Sequence, residues 1–165
     1  MQRRIAMVWG ATALIAPSAF AHHGWSSFDQ ERPIYLEGKV VKAEWRNPHV
    51  EVDLQIGPDL RLPSDLAKRT LPAQAAGVDG PRLLAAAVLP TRRDPVWEIE
   101  FAPLTRMNAW KVPEFKAGDR IAVLGFTLAG EKGEAVLRAE YLFADRKSTR
   151  LNSSHPRLSR MPSSA

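Results

Sequence analysis

Between residues 34 and 56 the chain runs through two stretches of apolar and polar alternation separated by a single proline corner, and that pattern restricts the folds open to it. Residues 34 to 45 read as one long strand, ended by Trp45-Arg46-Asn47-Pro48-His49. Beyond the corner, Val50, Val52, Leu54 and Ile56 alternate with His49, Glu51, Asp53 and Gln55. A period of two predicts a pair of strands with one buried and one wet face. His49 is expected to open the second strand on the wet face, beside Glu51 two residues on. Pro48 presets φ ahead of that strand, and Asn47 is expected to hydrogen-bond the turn backbone. Gly38 interrupts the first strand and predicts a bulge or tight bend, the device by which small barrels coil and close.

The rest of the chain extends this unit. Gly57-Pro58-Asp59 marks a turn, and residues 60 to 95 then change to Ala, Leu and Pro, with short helices predicted over 66 to 76 and 82 to 89. This stretch reads as an insertion between strands. A third strand is predicted at 96 to 101, with Trp97, Ile99 and Phe101 inward and Glu98 and Glu100 outward. Pro103 starts a short helix over 104 to 110. Strands follow at 120 to 126, after Gly118-Asp119, and at 135 to 143. The order strand, strand, strand, helix, strand, strand predicts an all-β fold, a small five-stranded Greek-key barrel of OB type with an Ala/Pro-rich insertion between strands two and three. A small sandwich or open meander is the competing architecture.

Both ends read as foreign to this domain. Arg3 and Arg4 precede an apolar run from Ile5 to Ala16, and Ala19-Phe20-Ala21 has the small-x-small pattern of a processing site. Residues 1 to 21 are therefore expected to be a cleaved signal peptide, too short to span a bilayer, leaving a periplasmic or secreted protein that begins at His22 with no membrane insertion after cleavage. At the other end, the run DRKSTRLNSSH from Asp145 back-translates to the adapter ligated to fragments in short-read libraries. Residues 145 to 165 are accordingly expected to be an adapter-derived tail, not native sequence, and residues 22 to 144 to form the one barrel domain. The formal charge of +5 then resides in the ends, because residues 22 to 144 hold 16 Lys and Arg against 17 Asp and Glu, a net of −1. Nucleic acid is not an expected partner of such a domain. The absence of cysteine removes disulfides, thiolate metal sites and thiol nucleophiles from consideration.

Several short motifs lie along this chain: Ala21-His22-His23-Gly24, Phe28-Asp29, Leu36-Glu37-Gly38-Lys39-Val40, Trp45-Arg46-Asn47-Pro48-His49, Trp97-Glu98-Ile99-Glu100 and Gly118-Asp119. In these the sequence resembles a family of small exported bacterial proteins of uncharacterised function, over most of residues 19 to 126. The resemblance implies export and the barrel, and brings no activity with it. The insertion is longer than the family leads one to expect.

Residues 22 to 144 hold three histidines: His22, His23 and His49. An N-terminal histidine offers its α-amine and Nδ1 as a chelating pair, and one more imidazole completes a three-nitrogen set suited to Cu(II). The candidate metal ligands are His22, His23 and His49, with Trp45, Asn47, Pro48 and Glu51 as corner or outer-shell residues. The competing reading makes the His-His pair a by-product of processing and His49 a cap of the corner. No catalytic residue stands out. Carboxylates that alternate with apolar residues are ordinary on a wet strand face, and the serines lack a nucleophile elbow. Trp25, Trp45, Trp97 and Trp110 admit a different function, a metal-free adaptor that binds an exported protein or a glycan on the barrel face. Trp25 and Phe28 are expected to dock the N-terminal arm on the barrel.

Overall fold

The computed structural model describes residues 25–72, 78–145 and 148–149. His22, His23, the segment 1 to 21, the side chain of Trp25 and most of the tail lie outside the described residues. Five strands build the domain: β1 (Ile34–Glu44), β2 (Glu51–Ile56), β3 (Val96–Glu100), β4 (Arg120–Thr127) and β5 (Val136–Asp145). They lie in the order β3-β2-β1-β4-β5, and a parallel pairing of β3 with β5 closes the sheet into a barrel. With one short helix between β3 and β4, this is the five-stranded OB topology expected from the sequence. A two-residue strand, β6 (Ser148–Thr149), pairs with the end of β5, so the sheet continues a little past Ala144.

β1 is long because it serves two partners. Its first half pairs with β4 and its second half with β2, and Gly38 and Lys39 pair with both. At Gly38 a Cβ would sit 2.2 Å from the Gln55 carbonyl oxygen, so only glycine allows the strands to come that close. The bulge itself lies two residues further on, between Val40 and Lys42. There Val41 turns outward, 49% exposed. Leu36, Val52, Leu54, Trp97, Ile99 and Val123 fill the barrel interior.

Among the described residues, the insertion forms less helix than its composition predicts. A 3-10 turn at Leu66–Lys68 ends where Arg69 becomes extended, and an α-helix, α1 (Gly80–Ala85), starts with the Asp79 carboxylate accepting from Arg82 N at 3.1 Å. After α1 the chain straightens to pair with β1: Val88 N donates to Pro33 O, and Tyr35 N to Val88 O. This supplies partners for backbone that β2 is too short to reach. The apolar residues of the insertion, Leu66, Leu84 and Ala87 with Leu71, Leu83 and Leu89, cover the outside of β1, β4 and β5 at Tyr35, Leu124, Tyr141 and Phe143. β4 and β5 are thereby buried on both faces. Arg69 lays its guanidinium over the Phe143 ring at 4.8 Å and pairs with Asp65. Burial, and then the Glu37 charge, push the Tyr35 phenol well above its ordinary range.

A carboxylate ties the insertion to the loop between β4 and β5. Glu131, buried and at a φ of 53°, accepts from the backbone N–H groups of Thr91 and Arg92 at 2.9 and 3.0 Å and pairs with Arg32 of the arm. Arg92 donates to the carbonyls of Glu131, Gly133 and Glu134 and also clamps Asp94. In the arm itself, Phe28 is buried against Phe126 and Val136, as expected of an anchor.

Candidate functional site

The corner between β1 and β2 is held from outside itself. Trp45 meets the Phe115 ring edge-on at 5.4 Å, and Phe115 in turn packs on Phe101 at 5.5 Å. Trp45 is therefore part of the packing at this end of the barrel. The Asn47-Pro48 peptide is cis. The Asn47 side-chain oxygen accepts from Leu104 N at 3.2 Å, which caps the start of α2 (Leu104–Ala109); the bond reaches across to a helix and does not close the turn predicted from the sequence. Trp97 is fully buried in the core, and Trp110 packs against it.

His49 lies just ahead of β2, whose first residue is Glu51, and is half-buried. Val50 N donates to Ala102 O and Phe101 N to Val50 O, and this places the His49 ring over the end of β3. Its Nδ1 lies 3.2 Å from Phe101 O and 3.5 Å from Glu100 Oε1. A carbonyl can only accept, so Nδ1 is the donor in this contact. Glu100 is therefore the carboxylate that meets His49. Glu51, the partner expected from the sequence, stands directly across the ladder from Glu100.

Glu100 is itself anchored. Arg138 of β5, opposite it in the parallel pairing, donates from Nη2 to both Glu100 oxygens at 2.7 Å. The same guanidinium covers the Phe28 ring at 4.4 Å. Arg138 is 8% exposed, and neither it nor the part played by Glu100 stood out in the sequence. The signal was there: an arginine inside the otherwise apolar run Val136-Leu137-Arg138-Ala139 must find a partner.

On the outer face of β2 and β3, Glu51 faces Glu100 and Asp53 faces Glu98. Burial, then the charges of Glu51, Asp53, Glu134 and Glu100, raise the Glu98 carboxyl above its ordinary range. Lys42, opposite Asp53, also binds Glu44 at 2.5 Å, and Arg46 pairs with Glu44 as well. Among the described residues no three His, Asp or Glu side chains are grouped to hold a metal ion. The two N-terminal candidate ligands, His22 and His23, are outside that set.

Fold and site together define a small OB-type barrel with a half-buried histidine, held to the Phe101 carbonyl, at the loop between its first two strands. Over residues 11–59 the chain is similar to a family described only as a family of unknown function, DUF6152. That segment contains the arm, β1, the corner and β2, and it stops before the insertion, short of the span to residue 126 that the motifs suggest. No curated protein matches the chain.

Proposed function

We propose that this chain is an exported binding module whose site is the His49 corner, completed by the N-terminal histidines His22 and His23 and suited to copper. The observation that carries the reading is the Nδ1 contact with Phe101 O, a backbone hydrogen bond of the kind that orients a histidine ring for metal binding. The arm supports it: Phe28 is six residues from His22 and is linked to His49 through Arg138 and Glu100, by contacts of 4.4, 2.7 and 3.5 Å. Six residues span up to about 20 Å when extended, so an amine at His22 has the reach to join His49. The α-amine and Nδ1 of His22, with His49, make a three-nitrogen set for Cu(II), and His23 is the other candidate imidazole.

Equilibrium dialysis of Cu(II) against correctly processed protein tests this reading. His49→Ala is expected to weaken binding ~10-fold or more, and a methionine added before His22 to weaken it by displacing the α-amine; Glu51→Gln costs less. Intact mass of periplasmic protein is expected to begin at His22. If His49→Ala and the added methionine both leave the affinity unchanged, the copper site is wrong.

One observation favours a second reading, a metal-free adaptor. The outer face of β2 and β3 carries Glu51, Asp53 and Glu98, which suits a cationic exported protein and disfavours nucleic acid.

A further inference from the structure

We propose that Arg138 and Glu100 are positioning residues that couple the N-terminal arm to His49, so that docking of Phe28 sets the orientation of the imidazole. The inference rests on the reading of His49 as the working residue. Each link is a defined contact. Phe28 is buried and stacks under the Arg138 guanidinium at 4.4 Å; Arg138 Nη2 reaches both oxygens of Glu100 at 2.7 Å; and Glu100 Oε1 lies 3.5 Å from His49 Nδ1. The contacts come from three separate parts of the chain, the arm, β5 and β3, and converge on the loop after β1.

Chemistry at each link makes the coupling directional. An arginine only 8% exposed needs a carboxylate, and Arg138 Nη2, within 2.7 Å of both oxygens, holds Glu100 while the guanidinium plane lies over the Phe28 ring, a stacking surface that a lysine lacks. Glu100 stands across from Glu51, a like charge that would drive it away from the ladder without Arg138. Held in place, Glu100 keeps its Oε1 3.5 Å from the His49 Nδ1 that donates to Phe101 O, and a carboxylate beside that nitrogen helps to orient the ring. The flat face of Phe28 supplies the remaining side of the guanidinium. Loss of any link is therefore felt at the imidazole.

The test uses the processed, full-length chain, first without metal. Imidazole nitrogen–proton correlation spectra at pH 8 report which His49 nitrogen carries the proton and how well it is held. Phe28→Leu is expected to shift the His49 signals, and that shift is expected to disappear in an Arg138→Lys background. Glu100→Gln is expected to change the same signals, and it carries the test if Arg138→Lys does not fold. Arg82→Ala, at an exposed pair with Glu31, should leave them alone. With Cu(II) added, Glu100→Gln is expected to bind ~10-fold more weakly. The coupling is overturned if the Phe28→Leu shift persists unchanged without Arg138, or if Glu100→Gln leaves the His49 signals where they were. If the unaltered protein binds no Cu(II) while the metal-free signals behave as expected, the copper reading fails and the coupling stands.

Discussion

A carboxylate as buried as Glu131 stays ionised only when donors surround it. Burial raises its proton affinity, but the N–H groups of Arg92 and Thr91 and the Arg32 side chain outweigh burial and hold it below the ordinary carboxylate range. A folded-state value below the unfolded one adds stability above about pH 4, and that stability is lost as pH falls through the folded value. Glu131→Gln is expected to lower the unfolding free energy by about 2–4 kcal/mol at pH 7. In acid the difference from the parent should shrink. Glu98 has the opposite sign, being raised by burial and its acidic neighbours. Its contribution is fully present below the unfolded value and is lost as pH rises through the folded one. Glu98→Gln should therefore stabilise the protein at pH 7, by about 0.5–1 kcal/mol, and make little difference near pH 3. Urea melts at the two pH values check both variants, and a pH-independent difference for either would contradict its assignment.

Strand crossings depend on two glycines. A Cβ at Gly38 would meet the Gln55 carbonyl, and one at Gly125 the Arg138 carbonyl, each at 2.2 Å, where backbone must move to make room. Alanine at either position is expected to cost about 3 kcal/mol or more, a large share of the stability of a domain this size. Gly57 has nothing within 4 Å of such a Cβ, so Gly57→Ala should be neutral or stabilise by up to about 1 kcal/mol. Thermal melts of the three alanine variants separate the two cases. Gly38 was legible as an irregularity, but the chain does not say which neighbour it makes room for. The insertion illustrates the converse. Its apolar residues suggested helices from 66 to 76 and 82 to 89, yet most of them were needed on the barrel wall, and Ala87, Val88 and Leu89 left the helix to meet β1.

The insertion is a second layer of the domain. It covers Tyr35, Leu124, Tyr141 and Phe143, all essentially inaccessible. Burial of such side chains contributes about 1.5–3 kcal/mol each, so exposing four of them rivals the net stability of an ordinary domain. Ile56 and Pro95 are already hydrogen-bonded neighbours, so residues 61 to 94 can be replaced by a short turn without stretching the strands. The shortened protein is expected to aggregate or to bind hydrophobic dyes with loss of near-ultraviolet dichroism. A soluble, cooperatively folding product would show that the outer face needs no cover.

Local periodicity was enough to place all five strands and the barrel order, because alternation at a period of two and a glycine in a long first strand depend on near neighbours alone. The inner residues of β2 and β3, Val52, Leu54, Trp97 and Ile99, were legible for the same reason. What covers the outside of β4 and β5 was not, since a strand buried on both faces reads as an unbroken apolar run whatever lies against it. The corner motif drew attention to His49, Asn47 and Trp45, and each has a definite partner: Phe101, Leu104 and Phe115. Those partners lie 52 or more residues along the chain, and Arg138 further still. Only closure of the barrel, which sets β3 beside β5 and both beneath the first loop, brings Glu100 and Arg138 to the histidine.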